Sequence, residues 1–153
     1  MILSNASPDE EELENKRFAE VFAEASELYG LLHARYILTE RGMALMREKF
    51  LNGNFGACPR VLCSGQNVLP LGLSEQPKHS RVKVFCPRCQ EVYLPKKKCQ
   101  DIDGAYFGNS FAHLMVETFP ELASTAKPSR FEPRIFGFKI SGKNGSSVPP
   151  AAS

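Results

Sequence analysis

The sequence predicts an α+β protein: an amino-terminal α-helical segment, then a small β module built around four cysteines, then a short carboxyl-terminal hairpin. Three observations predict it. Apolar residues recur at helical spacing from Phe18 to Tyr36, two short cysteine loops lie at 58–63 and 86–89, and glycine and proline break the chain after Gly53 into short apolar runs. The organisation that follows is a helical segment over 1–53, the cysteine module over 54–122, a linker and terminal segment over 123–140, and a tail over 141–153.

In the first segment, Ser7-Pro8-Asp9-Glu10 has the order of a helix start, with a capping hydroxyl, a proline pre-set for the first turn and a glutamate at the capping-box position. The acidic stretch Asp9, Glu10, Glu11, Glu12 and Glu14 suits a helix amino end and equally suits a solvated loop. From Asn15, the residues Phe18, Val21, Phe22, Ala25, Leu28, Tyr29, Leu32 and Tyr36 form one apolar stripe of a helix. Thr39 caps a second helix carrying Met43, Leu45, Met46 and Phe50, which Asn52-Gly53-Asn54 ends.

Beyond Gly53, Val82–Val84, Val92–Leu94 and Tyr106–Phe107 read as short strands. A helical stretch runs from Ser110 to Phe119 and stops before Pro120, and Arg134–Ile140 is a last β-like segment. From Ser141 the tail is rich in glycine, serine and proline, with too few apolar side chains to offset its ordering entropy, so disorder is expected.

The chain has 153 residues, 42% hydrophobic and 24% charged, enough for a globular core. No apolar run reaches the roughly 18 residues a bilayer-spanning helix needs, so no membrane association is expected. The start, Met-Ile-Leu-Ser and then acidic, lacks the features of a secretory signal. Reduced thiols and a cytoplasmic and nuclear location are therefore expected, and there five cysteines suit metal or reactive chemistry better than disulfides. The net charge of +2 is split: residues 1–27 hold eight acidic and two basic side chains, leaving nine and seventeen in the rest, or −6 against +8.

Cys58-Pro59-Arg60-Val61-Leu62-Cys63 and Cys86-Pro87-Arg88-Cys89 form a C-x4-C and a C-x2-C pair with 22 residues between them. Zinc takes four ligands at tetrahedral corners about 2.3 Å from each sulfur, and two short loops bring four thiolates to one point. Cys58, Cys63, Cys86 and Cys89 are thus the expected ligands of one structural zinc ion per chain, with 64–85 running out and back as in a zinc ribbon. A full set of sulfur ligands leaves no open position for catalysis. Arg60, Arg88 and Lys83 stand near enough in sequence to offset the formal −2 of four thiolates around the ion.

Cys99 follows Lys96-Lys97-Lys98, which would lower a thiol's pKa and suit a redox-sensitive site; a bystander surface cysteine is the plainer reading. His33, His79 and His113 share no spacing and receive no role beyond a helix face or a loop hydrogen bond. No Ser/His/Asp order, glycine-rich phosphate loop or paired-carboxylate signature raises an enzyme reading. Phe131, Ile135, Phe136, Phe138 and Ile140 crowd the end of the apolar sequence, where plain core and exposed anchor both remain open.

Taken together, Leu28-Tyr29-Gly30-Leu31-Leu32-His33-Ala34-Arg35-Tyr36-Ile37-Leu38-Thr39, the two cysteine loops, Asp103-Gly104-Ala105-Tyr106-Phe107-Gly108 and Arg134-Ile135-Phe136-Gly137-Phe138-Lys139-Ile140 resemble the casein kinase II beta, or regulatory, subunit family. The resemblance is collinear from about Pro8 to Ile140 and includes the 22-residue separation of the cysteine pairs. It implies a helical domain followed by a zinc ribbon through which two copies form a homodimer, each copy docking a catalytic kinase subunit. By position, Phe136 and Phe138 match the aromatic pair that meets the kinase, Leu114 a third contact, and Pro59, Val61 and Val92 residues of the dimer face. The stretch Asp9–Glu14 is similar to the family's acidic loop, associated with polyamines and contacts between tetramers. The family's first helices and its autophosphorylation serines would lie ahead of Met1, so the apolar stripe after Asn15 is expected to be partly exposed. The segment 141–153 is shorter than the family's tail, and Cys99 has no counterpart in the pattern.

The expectation is a non-catalytic scaffold that binds and modulates casein kinase II catalytic subunits and adds a surface for protein substrates. The alternative is a zinc-ribbon nucleic-acid-binding protein, suggested by the basic body and Lys96–Lys98 but lacking interleaved aromatics.

Overall fold

The computed structural model describes residues 15–96, 99–123, 128–129 and 131–139. The helix start at Ser7, the acidic stretch Asp9–Glu14, Lys97 and Lys98, Ile140 and the tail lie outside the described residues. Among those described, no helix is long and apolar enough to cross a membrane.

Helix α1 runs Lys16–Tyr36 because Asn15, in extended backbone, turns its side-chain oxygen onto the free N–H groups of Arg17 and Phe18, at 3.1 and 3.4 Å. It ends where the Ile37 N–H closes on the His33 carbonyl at 3.0 Å. Thr39 then works in both directions: its hydroxyl donates to the Tyr36 carbonyl at 2.7 Å and accepts from the Gly42 N–H at 3.2 Å. That opens helix α2, Glu40–Leu51, whose end is closed by the Gly53 N–H on the Phe50 carbonyl, with Gly53 at φ +70°.

Strands β1 (Leu69–Leu71), β2 (Lys83–Cys86) and β3 (Glu91–Tyr93) form an antiparallel sheet in that order, with Leu69 opposite Phe85 and Val84 opposite Tyr93. The Leu69–Leu71 strand was not foreseen, since Pro70 argues against a ladder position; it occupies an edge. The strand expected at Val82–Val84 instead runs on to Cys86 and so delivers the second cysteine loop. Tyr106–Phe107 is not a strand. Asp103 accepts from the Ala105 N–H at 2.9 Å and winds Gly104–Tyr106 into a 3-10 turn.

Helix α3, Phe111–Thr118, packs on β1, and a second 3-10 turn, Pro120–Leu122, follows it. Strands β4 (Arg134–Ile135) and β5 (Phe138–Lys139) make a separate two-stranded hairpin.

Alternation along the strands makes the sheet a wall between two cores. Phe85, Leu69 and Leu71 face a helical core with Ile37, Met46, Phe50, Phe111, Met115 and Leu122. Val84 and Cys86 face the other way, into a second cluster with Cys58, Cys63 and Val68. Phe55 packs against both.

The apolar stripe of α1 is left partly exposed, as expected, and the docking contact lies elsewhere on the helix. Val21, Leu28 and Leu32 remain 48%, 49% and 52% exposed, while Gly30 and Ile37 are buried. Contact is made where Gly30 lets the Tyr106 ring in: a Cβ there would stand 2.3 Å from the ring. The His33 ring fixes the register, its Nδ1 at 2.8 Å from the Tyr106 carbonyl and its edge against Phe107.

Candidate metal centre

The first cysteine loop is the tip of an irregular hairpin. Asn67 pairs with Ala57, the Cys58 N–H donates to the Gln66 carbonyl at 2.7 Å, and the Val68 N–H donates to the Gly56 carbonyl at 3.2 Å. Between them Val61–Cys63 coils into a 3-10 turn, and Ser64 and Gly65, both in left-handed backbone, bring the chain back. The Asn67 amide also reaches α2, donating to the Phe50 carbonyl at 2.8 Å, so the loop and helix hold one position. The second loop leaves β2 at Cys86 and reverses at Gln90, whose N–H closes on the Cys86 carbonyl at 2.8 Å with φ +59°.

These two reversals bring the sulfurs of Cys58, Cys63, Cys86 and Cys89 within 4.8 Å of one another, with Cys58 and Cys89 at 3.9 Å. That is far beyond a disulfide bond, and all four are free thiols. It is close to the separation of about 3.8 Å between sulfurs at tetrahedral corners 2.3 Å from one centre. Cys63 and Cys86 are fully buried, Cys58 nearly so, and Cys89 is half-buried at the site's outer edge.

Packing thiols this tightly is costly to their ionised form. Burial pushes the Cys63 thiol up to about 12, with hydrogen bonds from its neighbours Cys89 and Cys58 adding to it. Burial likewise takes Cys86 up to about 11, outweighing the backbone N–H groups of Cys89 and Arg88 that favour its thiolate. At Cys89 burial also pushes upward, but the Tyr93 hydroxyl, the Glu91 N–H and the Cys86 and Cys63 thiols together bring it down to about 7. The Tyr93 hydroxyl, 3.3 Å from the Cys89 sulfur, is raised by burial and by that partner. Four soft donors at tetrahedral spacing are the chemistry of a metal site, since an ion takes the place of the protons that burial otherwise enforces. Arg88 also serves the site, its guanidinium donating to the Cys63 carbonyl at 3.0 Å.

The other residues singled out from the sequence stand apart from the cysteines. Pro59 and Val61 lie exposed on the first loop, Val61 at 87%, and Val92 is half-exposed on the edge strand β3. Leu114 is partly exposed on α3. Phe136 and Phe138 flank Gly137 at the tip of the β4–β5 hairpin, 96% and 79% exposed, so of the two readings left open the aromatics are not core. His33 and His113 stabilise packing, His113 stacked on Phe85. Cys99 is exposed. Tyr93 and Asn67 were missed. Tyr93 lies four residues beyond Cys89, but only the turn at Gln90 makes that spacing a contact.

The model of the family described as Casein kinase II regulatory subunit matches residues 1–139. The chain belongs to this family. Casein kinase II subunit beta of Schizosaccharomyces pombe is 51% identical over 142 residues, covering 92% of this chain and 60% of the relative. Casein kinase II subunit beta of Dictyostelium discoideum is 48% identical over 140 residues, 91% of this chain and 52% of the relative. Putative casein kinase II subunit beta-4 of Arabidopsis thaliana is 49% identical over 120 residues, 78% and 42%. The chain thus spans between two fifths and three fifths of the length of these casein kinase II beta relatives.

Proposed function

We propose that this chain is a non-catalytic regulatory subunit of the protein kinase casein kinase II, a zinc-stabilised scaffold that binds and modulates the catalytic subunits. Zinc is the metal that four closed thiolate ligands favour in a structural role, holding the two loops without taking part in a reaction. Family membership and the relatives' names support the kinase assignment.

The observation that carries the docking surface is the β4–β5 hairpin. A hairpin that leaves two phenylalanines in water at its tip is costly unless a partner covers them, and buried aromatics dominate interface energetics. Phe136 and Phe138 are the anchor for the catalytic subunit in this reading, with Leu114 as a third contact. Self-association uses Pro59, Val61 and Val92. Beside Pro59, a cleft of about 390 Å³ lined by Phe55, Ala57, Val68, Leu94 and Pro95 extends that apolar surface. The acidic stretch Asp9–Glu14 serves polyamines, the exposed scaffold surface meets protein substrates, and the location is cytoplasmic and nuclear.

The test is capture of a casein kinase II catalytic subunit by the wild-type chain and by a Phe136→Ala, Phe138→Ala double variant. Each aromatic anchor is worth about 2 kcal/mol or more, so the double variant loses on the order of 1,000-fold in affinity with its zinc content unchanged. Equal capture by both proteins rejects the docking site.

A further inference from the structure

We propose that Tyr93 is a positioning residue of the metal centre, its hydroxyl donating a hydrogen bond to Cys89 Sγ and so holding in place the most exposed of the four ligands. This inference rests on the metal reading of the four cysteines.

The geometry has two parts. Cys63 and Cys86 are fully buried and Cys58 is 7% exposed beside the cleft, whereas Cys89 is only half-buried and is the ligand most open to a chelator or an oxidant. Tyr93 stands against that thiol with its oxygen 3.3 Å from the sulfur. A metal-bound thiolate carries no proton, so in the loaded site the phenol must be the donor.

The contact is built in by the backbone. The left-handed turn at Gln90 folds Cys89 back towards β3, and the β2–β3 register sets Tyr93 opposite Val84, on the sheet face that lines the cysteines. The ring packs in that same cluster, so the hydroxyl reaches the sulfur without further ordering of the side chain. A donor to a metal-bound thiolate withdraws charge from sulfur and restrains it, and partners of this kind typically change metal affinity by 10–100-fold.

Tyr93→Phe keeps the ring and removes only the oxygen, which separates a hydrogen-bonding role from a packing role. Two readouts are needed: the energy of the sulfur-to-metal charge-transfer band in the cobalt(II)-loaded full chain, and the rate at which the zinc-loaded chain yields its ion to a chromophoric chelator. With Tyr93→Phe the band moves to lower energy, because the thiolate is more electron-rich, and zinc transfer accelerates at least about 10-fold. Site-specific 3-fluorotyrosine at position 93, a more acidic donor of nearly the same shape, moves the band the opposite way and keeps the inference testable where the phenylalanine variant folds poorly. A wild-type chain that binds cobalt and variants whose band and transfer rate match it overturn the role of Tyr93 alone. A wild-type chain that develops no sulfur-to-cobalt band overturns the metal reading and this inference with it.

Discussion

Protons and metal compete for the same sulfurs, and the competition can be read residue by residue. With thiols at about 12 and 11, Cys63 and Cys86 are protonated throughout the neutral range, while Cys89, at about 7, is half-ionised there. Burial is the leading reason for the first two, so an entering ion must displace at least two protons at any pH from 6 to 9. The sign follows: protons oppose the metal, and affinity rises with pH. Cys63 and Cys86 alone contribute about 100-fold per pH unit, so the slope is at least that, and below pH 7 Cys89 adds up to about tenfold more per unit. Competition against a chelator of known proton affinity at pH 6, 7 and 8 measures the slope, and a flat profile contradicts the buried-thiol account. The same thiols show what single residues reveal in a sequence. The four ligands were legible because their spacing carries the chemistry, whereas Tyr93 and Asn67 have ordinary side chains that become partners only through turns at Gln90 and Ser64-Gly65.

Elements were legible where local chemistry decides them and obscure where tertiary contact does. Thr39 and Gly53 mark helix ends in the sequence and do so in the fold, because a cap is a contact between near neighbours, and Asn15, where the apolar periodicity begins, caps α1 in the same way. Periodicity located α1 and its partly exposed stripe, but not the face that docks. The widest apolar stripe stays half-exposed, and the helix is instead seated by the absence of a side chain at Gly30 and a hydrogen bond from His33. Periodicity registers hydrophobic side chains and is blind to a glycine that admits an aromatic ring. Gly30→Ala discriminates between these accounts. Alanine favours the helix itself by about 1 kcal/mol. Its Cβ, however, would fall 2.3–2.6 Å from three ring atoms of Tyr106, including the one nearest the backbone, and overpacking of this kind costs about 1–3 kcal/mol. The expected outcome is a lower thermal midpoint with helix content and metal content retained. A raised midpoint would show that helix propensity, and not the Tyr106 contact, sets the stability of α1.

At the scale of the whole molecule, the metal centre and the helices are two sides of one thin sheet. Phe55 packs against both cores, the Asn67 amide ties the first cysteine loop to the end of α2, and β2 sends Phe85 one way and Cys86 the other. The turn that seats α1 belongs to the same construction: Gly72 and Gly104 meet so closely that a Cβ at Gly72 would stand 2.1 Å from the Gly104 carbonyl oxygen, and Arg81 bridges to Asp103. Few contacts therefore stabilise α1 except those that the β module positions, and a 21-residue helix with an exposed apolar stripe is marginal by itself in water. A structural zinc supplies about 10–16 kcal/mol, comparable to the entire net stability of a small domain. If the four cysteines hold zinc as proposed, removing it would take away more than the ribbon can replace, and the loss would be transmitted through the sheet. We expect chelation to abolish the helical circular dichroism at 222 nm in step with metal release, and readdition of zinc to restore both signals together. A helical signal that persists after the metal is gone, with its own separate urea transition, would show instead that α1 and α2 form an independent unit on which the four-cysteine module is merely mounted.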